Sequence, residues 1–116
     1  MNVRIKRVYA EPDENDGKRI LVDRLWPRGL TKEKAKVHLW LKDVSPTTEL
    51  RRWFGHDPKR WPQFKIRYTE ELKTQAVPLM MLKKEVSQKT ATLLYGSKDD
   101  EHNEAIVLLE LLQRAN

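Results

Sequence analysis

Apolar and polar residues interleave from the start of the chain. Val3, Ile5 and Val8-Tyr9 alternate with Arg4, Lys6 and Arg7, the pattern of a half-exposed strand. Glu11 to Gly17 is a polar connector rich in turn-forming residues. Residues 19–25 then form a short run of bulky apolar type, suited to a strand covered on both faces. Trp26-Pro27-Arg28-Gly29 stops it, since Pro lacks a donor and Gly permits unusual backbone angles. Thr31 is placed to cap a short helical turn over residues 32–36, and His38-Leu39-Trp40-Leu41 is ambiguous between strand and loop. Ser45-Pro46 signals a helix start, with the helix running to about Phe54 and ended by Gly55. Asp57-Pro58 repeats the signal, and Trp61, Phe64, Tyr68 and Leu72 fall on one helical face. Pro62 demands a distorted first turn there, or a start nearer Trp61. Pro78 is expected to open a further helix carrying Leu79, Met80, Leu82 and Val86. Residues 90–95 form a second strand of buried type, stopped by Gly96, and a polar loop leads to a largely buried helix over residues 104–114.

Strand, helices, strand, helix predicts an α/β fold: a small single domain, residues 1–116, with a short, partly parallel sheet flanked by helices. The 116 residues leave no room for two independent cores. No apolar run approaches the ~18 residues of a membrane span, and the first residues lack a signal-peptide core. A cytoplasmic protein is the expectation. Cysteine is absent, which excludes disulfides, thiolate catalysis and Cys-ligated metal sites.

Charge is unevenly distributed. Residues 1–60 hold 15 Lys/Arg and 9 Asp/Glu, whereas residues 61–116 hold 8 of each, so the net +6 resides in the first half. A basic face meeting an anion is one interpretation and a mildly basic solvated surface is the other. Trp26, Trp40, Trp53 and Trp61 lie among these cations, either as core or as base-stacking platforms.

In parallel α/β sheets ligands bind beyond the carboxyl ends of the strands. One such end offers Asp23, Arg24, Trp26 and Arg28; the other offers Lys98, Asp99, Asp100, His102 and Asn103 before a helix. Asp23, Arg24, Trp26, Arg28, Lys98 and Asn103 are therefore candidate ligand-binding residues, with the two arginines as anion ligands. His102 is the candidate acid or base, being the nearby group that titrates near neutrality. The structural alternative pairs Arg24 and Arg28 with Asp99, Asp100 or Glu101. His38, His56 and His102 show no metal-ligand spacing, and His56 reads as a loop or cap residue. No metal site is expected. No glycine-rich phosphate loop, nucleophile elbow or cofactor motif is present.

The string Arg19–Gly29, with Val-Asp-Arg-Leu-Trp-Pro-Arg-Gly at its centre, then Trp40-Leu41-Lys42, residues 45–51, Trp53-Phe54-Gly55-His56-Asp57-Pro58, Trp61, Phe64, residues 92–95 and His102-Asn103 together resemble the YeaO-like branch of the bacterial family designated domain of unknown function 488. The resemblance covers nearly the whole chain and implies a single cytoplasmic α/β domain, without supplying a reaction. Longer members of that family place a Cys-His-Arg string near the position of Glu101-His102-Asn103, where this chain has no cysteine. The expected function is binding of a small anionic ligand, phosphate- or nucleotide-like, where residues 23–29 meet residues 98–103. The competing expectation is a nucleic-acid-binding module using the basic first half, whose affinity would fall steeply with salt.

Overall fold

The computed structural model describes residues 2–114; Met1, Ala115 and Asn116 of the expected 1–116 unit lie outside the described residues. Four strands, β1 (Val3–Arg7), β2 (Lys18–Leu21), β3 (Leu39–Trp40) and β4 (Ala91–Tyr95), form one sheet in the order β1-β4-β2-β3. Every pairing is parallel, with Ile5 opposite Leu93 and Ile20 opposite Leu93 on either side of the central strand. The sheet is thus parallel throughout rather than in part.

Among the described residues five α-helices complete the fold: α1 (Lys32–Ala35), α2 (Thr48–Phe54), α3 (Trp61–Lys73), α4 (Ala76–Gln88) and α5 (Glu104–Arg114). One face of the sheet presents Ile20, Ala91, Leu93 and Tyr95 to a core shared with Leu50, Phe54, Phe64, Tyr68, Leu72, Leu82 and Leu108 from the helices. The other face presents Leu21 and Leu94 to Val8 and Ala35, with Trp26, Leu30, Val37 and Trp40 packed around them. Ile20, Leu21, Val22, Leu93 and Leu94 are fully buried, as a run covered on both faces requires. Among the described residues no helix is long and apolar enough to cross a membrane.

Local chemistry explains where expected and observed boundaries differ. β2 ends at Leu21 rather than 25, although the Val22 N–H still reaches Leu94 O at 3.1 Å. The residue His38 before β3 donates its N–H to Arg19 O, so the ambiguous segment pairs as a strand over just two residues. Thr47, not Ser45, caps α2, its hydroxyl accepting the Leu50 N–H at 3.2 Å, while Ser45 donates its hydroxyl to Lys42 O. Three hydroxyl residues surround Pro46, so a cap signal alone does not select among them. Pro62 occupies the second position of α3 and Pro78 the third of α4, where a missing N–H costs nothing.

The second face holds a buried ionic cluster. Arg19 is 2% exposed and Asp16 4%. Arg19 Nη1 donates to Asp16 Oδ2 at 2.6 Å, and its remaining nitrogens donate to the Ala35 and Lys36 carbonyls. Asp16 also accepts from Lys6 Nζ and from the Asp13 N–H. Burial alone would raise the Asp16 carboxyl, but the Asp13 N–H, Lys6 and Arg19 outweigh it and hold the group below its ordinary value. Its stabilising effect is therefore complete above the unfolded carboxylate range and is lost as pH falls through the lowered native value. Asp16→Ala leaves Arg19 buried without its counter-ion and is expected to cost about 3–5 kcal/mol in urea unfolding at pH 7. A loss below about 1 kcal/mol contradicts the description of a cluster in which every member depends on the others.

Candidate functional site

The carboxyl ends of β2 and β4 adjoin because the strands run parallel with Leu21 opposite Leu94. One residue past the last rung, the side chain of Asp23 takes over from the backbone: its Oδ2 accepts the Gly96 N–H at 2.8 Å. A Cβ at position 96 would lie 2.8 Å from that same oxygen, so glycine is what lets the carboxyl approach. The Asp23 carbonyl accepts Trp40 Nε1–H at 2.7 Å, fixing the residue from its other side. Burial pushes the Asp23 carboxyl up to about 6, against the opposing pull of the Gly96 N–H, Arg51 and His56.

A cavity of about 260 Å³ opens over this carboxyl, bounded by Arg51 and Phe54 of α2, His56, Phe64 of α3, and His102 and Glu104 at the start of α5. Phe54, Phe64 and the His56 and His102 rings contribute to its walls, with Trp61 behind them. The His56 ring lies 6.3 Å from Phe54, Phe54 lies 5.9 Å from Trp61, and Trp61 meets His102 edge-on at 5.3 Å. Gly55 and His56 are both left-handed, with φ of 54° and 58°. For His56 that conformation costs about 1–2 kcal/mol, and the double turn carries the chain from the end of α2 past the cavity toward the Asp57 cap of the next turn.

On the opposite wall, Asp99 organises the loop after β4. Its Oδ1 accepts the Glu101 and His102 N–H groups at 2.9 and 3.1 Å, and its Oδ2 meets His102 Nδ1 at 2.9 Å. The Glu101 N–H and the His102 ring hold the Asp99 carboxyl below its usual range. Asn103 caps α5, its Oδ1 accepting the Ile106 N–H at 3.2 Å while its Nδ2 donates to the Asp99 carbonyl. Glu104 follows; its Oε1 is buried and has no hydrogen-bond partner among the described residues. Ser97 also borders the cavity, but its hydroxyl oxygen accepts the Asp99 N–H, and no hydrogen bond joins it to His102 among the described residues. Among the described residues the cavity offers a guanidinium, carboxyls and a carboxyl-oriented imidazole, without a nucleophile bonded to its base.

Of the residues expected from sequence, Asp23, His102 and Asn103 line the cavity and Arg24, Trp26, Arg28 and Lys98 lie outside its lining. The Arg24 guanidinium donates to the Pro46 and Ser45 carbonyls at 3.2 and 3.4 Å. Trp26 donates to Leu30 O and packs edge-on against Trp40 on the sheet's other face. Arg28 and Lys98 are exposed. Among the described residues neither Arg24 nor Arg28 forms an ion pair with Asp99, Asp100 or Glu101; Asp99 is paired with His102 instead. Sequence reasoning missed Arg51 and Glu104 as lining residues and gave His56 only a loop role. The available signal was the Trp-Phe-Gly-His-Asp-Pro string, where two turn signals meet in three residues.

Fold and site together define a small parallel α/β protein with a charged cavity over the carboxyl ends of its central strands. Its relatives share that chain almost end to end. The chain belongs to the DUF488 family: residues 2–116 match the group described as the inactive DUF488-N3 subclade. It is 42% identical over 110 residues to the uncharacterized protein Rv3073c of Mycobacterium tuberculosis, covering 95% of this chain and 92% of that one. It is 38% identical over 113 residues to the uncharacterized protein YeaO of Escherichia coli, covering 97% and 98% respectively. No solved structure matches it.

A buried carboxyl raised from 3.8 to about 6 has a consequence for stability. Between those two values the native state binds the extra proton, so stability falls as pH rises and the full cost, about 3 kcal/mol, is present above pH 7. Asp23→Asn keeps an oxygen for the Gly96 N–H but cannot ionise. The variant is expected to be more stable than the parent at pH 7.5 by up to that amount, with the gain vanishing near pH 4. Chemical denaturation at the two pH values measures it, and an equal difference at both would contradict the assignment.

Proposed function

We propose that this protein binds a small phosphate- or nucleotide-like anion in the cavity beside Asp23, without turning it over. The observation that carries the proposal is the meeting of a guanidinium and two carboxyls in one cavity: Arg51, Asp23 and Glu104, with the His56 imidazole beside them. A guanidinium offers a paired set of donors to a phosphate or carboxylate. Asp23 and the unpartnered Glu104 Oε1 call for a hydrogen-bond donor on the same ligand. A nucleotide has both, an anionic phosphate and the N–H groups of its base, and the aromatic wall of Phe54 and Phe64 suits a planar ring.

Three features favour binding over catalysis. The chain has no cysteine to supply a thiolate; Ser97 has no bond to His102 among the described residues; and the subclade it matches is described as inactive. His102, anchored on Asp99, then acts as a hydrogen-bonding and charge-matching group rather than as a general acid or base. We place the protein in the cytoplasm, where phosphorylated metabolites are held.

Thermal melting with inorganic phosphate and with adenosine monophosphate tests the proposal. A ligand at one hundred times its Kd stabilises the folded state by about 2.7 kcal/mol, a rise of several degrees for a chain of this size. The parent and Arg28→Gln are expected to respond alike. Arg51→Gln is expected to lose the response. No rise in the parent, or an undiminished rise in Arg51→Gln, overturns the assignment.

A further inference from the structure

We infer that the exposed side of the α2–α3 pair is a docking surface for single-stranded nucleic acid, distinct from the cavity and adjoining it through Arg51. Residues 51–67 carry six basic side chains, Arg51, Arg52, Lys59, Arg60, Lys65 and Arg67, against one acid, Asp57. This stretch nets +5. With Lys73 and the acids Glu49, Glu70 and Glu71 of the same two helices, the α2–α3 pair nets +3, and its cations are gathered in the stretch 51–67.

Most of these cations are uncommitted. Lys65 pairs with Glu110 at 3.1 Å and Arg60 lies 3.9 Å from Asp57, whereas Arg51, Arg52, Lys59 and Arg67 have no ion pair among the described residues. Their mutual repulsion is a cost that an anionic partner removes.

An aromatic ring organises the cluster. Trp53 is partly buried against the main core, and two guanidiniums gather at its ring, Arg67 at 4.1 Å and Arg60 at 5.4 Å from the centroid. Arg60 is further anchored by donating to the Trp53 carbonyl. Stacking on an indole restrains a long cation without consuming its N–H donors. Guanidiniums held in this way present paired donors to phosphates, and their outer planes stack on unpaired bases. A duplex hides its base faces and leaves that second component unused. A lipid surface calls for apolar residues projecting beyond the cations, yet Trp53 is turned into the protein and Ile66 is the segment's one exposed large aliphatic residue.

Four free cations correspond to roughly four phosphates, giving an expected slope of log affinity against log salt of about −3 for a single strand. The test is fluorescence anisotropy of a labelled twelve-nucleotide oligothymidylate at several salt concentrations. The parent is expected to bind at micromolar concentration in ~50 mM salt. Removing two of the free cations in the Lys59→Gln, Arg67→Gln double variant should reduce the slope to about half and weaken binding at least about tenfold. Lys83→Gln with Lys84→Gln removes the same charge from exposed positions on α4 and should change affinity less than about threefold. Arg67→Gln alone, which leaves the Arg60 bond to the α2 carbonyl in place, should show a reduction of about 0.7 in slope and the unaltered melting temperature of a folded protein. Its melting response to adenosine monophosphate should match the parent's, which separates this surface from the cavity. Absence of binding by the parent overturns the inference. So does equal weakening by the two double variants, tighter binding of a matched duplex, or preferential binding of phosphatidylserine vesicles.

Discussion

β4 is hydrogen-bonded on both edges, to β1 on one side and β2 on the other, and all five of its residues are buried. Parallel pairing on two sides fixes both the direction and the register of the strand, and a slip of one residue would exchange its two buried faces. Leu93 then belongs to the helix-covered core, Leu94 to the smaller core beneath the Trp26–Trp40 pair. The same register puts Gly96 within reach of Asp23 and aims the following loop, with Asp99, His102 and the start of α5, over the end of β2. The cavity is thus a consequence of one strand's position.

The protein treats its buried charges in two contrasting ways. On one face of the sheet Asp16 and Arg19 are nearly inaccessible and each is satisfied several times over, so both remain ionised at little net cost. At the carboxyl ends of the strands Asp23 has a single N–H and no direct ion pair among the described residues, and its carboxyl is raised to about 6. Glu104 keeps a buried oxygen without a partner among the described residues. Full satisfaction marks the first cluster as architecture, whereas incomplete satisfaction in a walled cavity marks the second as a place for another molecule. The left-handed His56 adds a local strain on the same rim.

The sheet was legible in sequence because its signal is local: residues 19–25 and 90–95 are apolar runs too short for buried helices and bounded by turn residues. The Gly55 stop and the start of α3 near Trp61 were legible for the same reason. β3 was not, since a two-residue pairing leaves no periodicity to detect. Arg24 and Arg28 looked like anion ligands while the strand was taken to run to residue 25. With the ladder ending at Val22, Arg24 turns to the Ser45 and Pro46 carbonyls and Arg28 to the surface. Arg51, His56 and Glu104 come from the end of one helix, a left-handed turn and the start of another. Their meeting is a tertiary event that spacing along the chain does not encode.

The central claim is that the cavity between the ends of β2 and β4 is where a phosphate-bearing ligand binds. An amide chemical-shift titration of the 15N-labelled protein with adenosine monophosphate tests it residue by residue. The account predicts saturable shifts centred on Gly96, Ser97, His102 and Asn103, together with His56 and the Arg51 side chain. Shifts confined to residues away from this cavity, or none at millimolar ligand, would contradict it.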